Sequence, residues 1–261
     1  MAAIELRGVS KRAPDGKPVL EGVDLEVGDG EFVALVGPQA DGKSTLLRLI
    51  AGLDRADGGT VRVLGEEVRG TNPKVGMVFQ ETVLYPWMKI LENATFGPIS
   101  RGVDEAKAVE DASKWLNLLG LGKFLHKWPY ELSGGMQRRA TIAMVMVNNP
   151  AVLLCDELLG GLDLITRTLV AEEFLKIWYE QKRTVVYVTH LLEEAVCLSQ
   201  KVYVMSARPG RIAARYDIQL PEKRWEVPNL RFSKGCADYV SQVRRKFEEM
   251  IVLARQQGPG V

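Results

Sequence analysis

The sequence predicts an α/β fold, a mainly parallel sheet with flanking helices, plus an N-terminal antiparallel β subdomain and an inserted helical subdomain. Three observations predict it. Apolar runs at residues 32–36 and 151–155 suit strands buried on both faces, and residues 184–189 read as a third strand of the same parallel type. The apolar spacing between and after them is helical, and such alternation builds a parallel sheet with helices packed on it. A helix-rich stretch from about residue 84 to 132, with a following helix to 148, interrupts the alternation.

Taken in order, residues 4–9 and 19–27 alternate like strands and are joined by the turn-forming Pro14-Asp15-Gly16. The run 32–36 feeds a Gly-containing loop and a helix at 44–51, which Gly52 is placed to stop. Residues 60–64 and 75–80 read as strands. Residues 103–119 read as a helix with Trp115, Leu116, Leu118 and Leu119 facing inward, and 134–148 as another. After the strand 151–155 come a helix at 166–181, a strand at 184–189, a short helix at 193–198 and a strand at 201–206. Residues 221–234 are polar loop, and 237–255 form an amphipathic helix.

With 261 residues, 46% of them hydrophobic, the chain is long enough to bury one large core. A net charge of +1 leaves no basic field for nucleic acid or an acidic membrane surface. The start has no secretory apolar segment, and no apolar run approaches the roughly 20 residues of a spanning helix. The chain is therefore expected to be soluble and cytoplasmic, reaching a membrane only through a partner. Its three cysteines, Cys155, Cys197 and Cys236, lie far apart without metal-ligand spacing, which suits a reducing compartment and small buried side chains.

Gly37-Pro38-Gln39-Ala40-Asp41-Gly42-Lys43-Ser44 fits the pattern G-x-x-x-x-G-K-[ST] between a buried strand and a helix. Glycines let successive N–H groups curl inward around phosphate oxygens, and the helix N-terminus adds its positive dipole end. Lys43 reaches the β- and γ-phosphates, the Ser44 hydroxyl suits Mg²⁺, and Thr45 supports a phosphate nearby. A chance Gly-rich turn is the bland alternative, which the flanking strand and helix disfavour. The pattern points to a nucleoside triphosphate site in a P-loop NTPase core.

Asp156 and Glu157 close a second buried strand. Adjacent strand residues point to opposite faces, so the two acids are free to take different roles. Asp156 holds Mg²⁺, and Glu157 polarises the water that attacks the γ-phosphate.

Leu132-Ser133-Gly134-Gly135-Met136-Gln137-Arg138 stands one helix before this pair. Alone it is a good helix start, with Ser133 as cap. As the third motif in this order, over nearly the whole chain, it resembles the ABC transporter ATPases. The resemblance implies that Ser133, Gly134, Gly135 and Met136 face the γ-phosphate held by a second subunit, so ATP is sandwiched in a dimer. It implies that Gln80 senses Mg²⁺ and water, that Asp163 touches the partner across the interface, and that His190 contacts the γ-phosphate. It also implies an ATPase domain over residues 1–220 and an extension, 221–261, packed on its core.

Several positions depart from the family pattern. Ala13 stands where an aromatic residue usually stacks on adenine, a loss of roughly 1–3 kcal/mol by analogy with other base stacking. Asp41 brings an acid beside the triphosphate, which repels it unless the side chain points away or pairs. Leu158, Gly161 and Leu191 replace the common Pro, Ala and Asp.

Tyr85, Pro86 and Trp87 resemble the Pro-Trp segment of subunits serving nitrate, sulfonate and taurine importers. The family meets the permease's cytoplasmic helix there, although Trp87 also suits the core of the helical subdomain. The resemblance implies transmembrane permease subunits as partners, with a solute-binding protein engaged indirectly, at the cytoplasmic face of the inner or plasma membrane. The solute expected is a small anion, moved by ATP-driven dimer closure. The alternatives are a subunit with slow or lost hydrolysis acting as a regulatory or structural partner, and an ABC system moving lipids or other solutes.

Overall fold

The computed structural model describes residues 2–39, 41–227 and 229–256. Strands β1 (Ala2–Arg12), β2 (Pro18–Gly28), β4 (Gly58–Val63) and β5 (Glu66–Glu67) form an antiparallel sheet in the order β2-β1-β4-β5. The six-stranded second sheet contains β3 (Phe32–Val36), β6 (Val75–Val78), β7 (Val152–Asp156), β8 (Thr184–Val188), β9 (Lys201–Met205) and β10 (Ile212–Asp217). Its order is β10-β9-β3-β8-β7-β6, parallel from β9 to β6, with β10 antiparallel at the edge.

Strand alternation explains how the layers pack. Val33, Leu35, Val152, Leu154, Val186, Val188, Tyr203 and Met205 point to one face, where they meet the antiparallel sheet and helix α1 (Lys43–Ile50). On the other face Phe32, Leu153, Cys155, Val185 and Tyr187 meet the helical region and α5 (Leu164–Gln181). Phe32 sits there edge-on to Phe174, Trp178 and Tyr187, at centroid distances of 5.8, 5.6 and 6.2 Å. Farther along that face Ala34, Val36, Val202 and Val204 pack on α6 (Leu192–Leu198) and α7 (Lys234–Gln256). Every central strand is thus covered on both sides, which is why its sequence is an unbroken apolar run.

The inserted region consists of α2 (Ile90–Ser100), α3 (Glu105–Leu118) and α4 (Gly134–Met146), with two short 3₁₀ turns between α3 and α4. Helix α2 was not individually expected. Its last turn contains Gly97 and Pro98, residues that read as breakers, yet Pro98 is buried and the helix continues to Ser100. On α3 the inward residues are Ala108, Ala112 and Leu116, while Leu118, expected inside, is 45% exposed. Leu118 lies two positions past Leu116, about 200° around the helix, so both cannot face the same core. Strand β10 also escaped notice, because a half-exposed edge carries no apolar run.

Two of the cysteines meet. The Sγ atoms of Cys197 and Cys236 lie 2.8 Å apart as a hydrogen-bonded thiol pair joining α6 to α7.

Gly52 ends α1 at φ +70°, and a Cβ on it would come within 2.0 Å of the Gly70 carbonyl oxygen. Gly52→Ala is expected to cost roughly 1–2 kcal/mol from the left-handed backbone alone, with the steric clash added. A thermal melt unchanged from the parent would refute this.

Candidate active site

All the parallel strands release their chain at the same edge of the sheet, the usual place for a ligand in an open α/β fold. Gly37 follows β3, Gln80 lies two residues past β6, Asp156 ends β7, and His190 lies two past β8. Chain segments remote in sequence converge there because their strands are neighbours.

The loop after β3 is wrapped tightly. Gly37 and Pro38 are buried and Gln39 is exposed, while Ala40 lies outside the described residues. Gly42, at φ 93°, is the N-cap of α1 and supplies no side chain there. Lys43 Nζ donates to the carbonyls of Gly37 and Pro38, both at 2.9 Å, and to Asp41 Oδ2 at 2.8 Å. Asp41 is only 2% exposed, and its Oδ1 accepts from the Lys43 amide at 3.1 Å. The acid therefore pairs. Burial pushes its carboxyl above the usual carboxylate range, and Lys43 opposes that shift. Gly37 must be glycine, since a Cβ would fall 2.0 Å from Asp41 Oδ2. Ser44 is exposed and Thr45 half-buried on the first turn of α1.

Asp156 is buried at the end of β7, and its carboxyl feels both Ser44 and Lys43 of this loop. Burial raises its pKa, while Ser44 and the Lys43 charge pull the other way. Glu157 departs from the expected strand alternation. It lies beyond β7 in the left-handed region at φ 51°, so a backbone turn separates the two acids. Both its oxygens are engaged. Oε2 accepts from Gln80 Nε2 at 3.2 Å, and Oε1 lies 3.3 Å from His190 Nδ1.

The sequence reading omitted Arg138 from the site. Its guanidinium, 5% exposed, donates to the carbonyls of Phe79, Gln80, Asp156, Glu157 and Leu158. One side chain thus fixes the backbone under both Gln80 and the acid pair, and burial lowers its pKa. Its place at the end of Ser133-Gly134-Gly135-Met136-Gln137-Arg138 was visible, but carbonyl partners leave no side-chain pattern to find.

Ser133 caps α4, its Oγ accepting from the Met136 amide at 3.4 Å. Gly134 and Gly135 line a cavity of about 370 Å³ together with Gln80, Thr82, Arg138 and Glu157. None of the residues 37–45 is among the described residues of that lining. Asp163 Oδ1 accepts from the Thr166 amide at 3.0 Å at the start of α5.

Trp87 is not in the core of the helical subdomain. It is 67% exposed, beside Tyr85 at 5.6 Å, and Tyr85 packs edge-on against Phe96. Asn93, 1% exposed, holds this segment in place. Its amide accepts from Tyr85 N and donates to the carbonyls of Tyr85, Met88 and Lys89. This support also escaped sequence analysis.

The fold and the site together define a P-loop nucleoside triphosphatase. The ABC transporter family matches residues 20–160, more than half of the sequence, and the chain belongs to that family. It is 43% identical to the nitrate import ATP-binding protein NrtD of Synechocystis sp. over 202 residues, 77% of this chain and 76% of the relative. It is 38% identical to the taurine import ATP-binding protein TauB of Ruegeria pomeroyi over 256 residues, 96% and 94% of the two chains. Among solved structures, the dimeric ATP-binding cassette MJ0796 in a post-hydrolysis state bound to ADP and Pi superposes with a TM-score of 0.76 at 27% identity. That match covers 84% of this chain and 100% of the other.

Proposed function

We propose that this chain is the ATP-binding and ATP-hydrolysing subunit of an ABC importer that drives a small anionic solute, nitrate-, sulfonate- or taurine-like, across the membrane. The observation that carries it is the Glu157 carboxylate held between Gln80 and His190, next to the buried Asp156 that ends β7.

In this mechanism the loop 37–45 wraps the triphosphate through its backbone N–H groups, and Lys43 neutralises β- and γ-oxygens. Glu157 takes the proton of the attacking water at a carboxylate oxygen. Gln80 and His190 orient that water and the γ-phosphate. Ser44, Asp156 and Gln80 offer hydroxyl, carboxylate and amide oxygens, the hard donor set that Mg²⁺ prefers. The Gln80 amide nitrogen already faces Glu157, which leaves its oxygen for the cation. Mg²⁺, when bound, supplies charge neutralisation on the phosphates.

Ser133, Gly134, Gly135 and Met136 contact the γ-phosphate in the loop of a second ATPase subunit, identical or related, and Asp163 crosses the same interface. ATP thus closes a dimer. Tyr85, Pro86 and Trp87 dock the permease subunits, and through them the chain works at the cytoplasmic face. No helix among the described residues is long and apolar enough to cross a membrane. Residues 1–220 form the ATPase domain, and 221–261 an extension on its core. The solute class rests on the relatives that import nitrate and taurine.

Trp87→Ala is expected to leave ATPase activity of the isolated chain within about two-fold, since surface truncations away from structural features change little. It should abolish stimulation by the permease. Both are read by phosphate release with and without reconstituted membrane subunits. The overall proposal is tested with those same vesicles and nitrate or taurine as solute. Mg²⁺-ATP hydrolysis without uptake of any anion would remove the solute assignment, and absence of hydrolysis would remove the enzyme. Slow turnover is the second possibility, favoured by the contacts that already occupy Lys43.

A further inference from the structure

A lysine ammonium has three N–H donors and no acceptor. On Lys43 all three are taken, two by the loop's own carbonyls and one by Asp41 Oδ2. Nucleotide phosphate therefore cannot gain a hydrogen bond from Lys43 without displacing an existing partner. The Asp41 contact is the charged one, and it sits in a buried place where charge pairing is strongest.

Asp41 itself is fixed. Its Oδ2 lies where a side chain on Gly37 would begin, and its carbonyl lies 1.9 Å from where a Cβ on Gly210 would stand. Its Oδ1 is tied to the Lys43 amide. The movable partner is the lysine, on its four-carbon stem.

We propose that Asp41 is an internal stand-in for a phosphate oxygen, holding Lys43 within the loop until a β- or γ-phosphate displaces it, and so sets how tightly this subunit binds nucleotide. This rests on the ATP site proposed above. The carboxylate acts twice. It cancels the lysine charge that would attract the nucleotide, and it remains nearby as a like charge once the phosphate has arrived. Adenine and ribose contacts are untouched, so the effect belongs only to nucleotides whose β-phosphate reaches Lys43.

The test is equilibrium binding of MgATP, MgADP and AMP to the full chain, by displacement of a fluorescent nucleotide. The proteins are the parent, Asp41→Asn and Asp41→Ser. Asparagine keeps the shape and removes the charge, whereas serine is too short to reach Nζ. Near-UV circular dichroism checks that both variants are folded. Both should bind MgATP and MgADP about ten-fold more tightly, the equivalent of one charge-assisted hydrogen bond, with no gain for AMP. MgATP affinity equal to or weaker than the parent's in both folded variants overturns the proposal, as does an equal gain for AMP, which would mean that Asp41 merely strains the loop. If the parent and both variants bind no nucleotide at all, the ATP site itself is wrong and this inference falls with it.

Discussion

Glu157→Gln is expected to lower Mg²⁺-dependent ATP turnover by roughly 10²–10⁴-fold, the range for losing a general base, while ATP binding persists. The amide has the shape of the carboxylate and still offers a partner to Gln80 and His190. What it lacks is the basicity to take a proton from water. Because ATP stays uncleaved, the closed dimer should accumulate. Steady-state phosphate release measures the first effect, and size-exclusion chromatography with MgATP the second. Turnover within ten-fold of the parent would place the base elsewhere.

Replacing Arg138 should damage stability and catalysis together. Arg138→Met strips partners from five carbonyls of two separate segments. Leaving even two of them buried and unpaired costs about 3 kcal/mol, equivalent to a fall of roughly 6–12 °C in Tm for a chain of this size. Turnover should fall at least about 100-fold, since small displacements of positioned groups are that costly. Arg138→Lys provides the informative contrast. Its three donors should recover part of the melting temperature. A point charge cannot bridge the two segments as the planar fork does, so turnover should stay low. Calorimetry with parallel ATPase assays separates these effects, and full activity in Arg138→Lys would show that charge alone suffices.

The parts of the fold legible from sequence were those whose cause is local. The runs at 32–36, 152–155 and 185–188 are apolar because β3, β7 and β8 are covered on both faces. Helix α2 was hidden by Gly97-Pro98, and the burial of Pro98 with Ile90 and Ala94 outweighs the local signal. Strand β10 and the Cys197–Cys236 contact depend on pairings that no nearby residue announces.

The candidate site divides in the same way. Lys43, Ser44, Asp156 and Glu157 stand in short patterns whose chemistry is written in their own residue types. Arg138 acts through carbonyls up to 59 residues away, and any sequence supplies carbonyls. Asp41 was visible as an anomaly. Whether it repelled phosphate or paired with Lys43 depended on a burial that only the folded loop provides.

The two backbone clamps, Arg138 at Gln80 and Asn93 at Tyr85, bound a very short tether. Glu81, Thr82, Val83 and Leu84 are all that lies between them, so the pinned residues can be at most about 17 Å apart when the chain is fully extended. On the docking proposed above, a permease pushing on Trp87 would have little slack to take up before the Gln80 amide moved against Glu157. Transmission should be stiff and its stroke small. Lengthening this tether by a few glycines would be the mechanical equivalent of loosening a drive belt, with ATP still burned and the solute left behind.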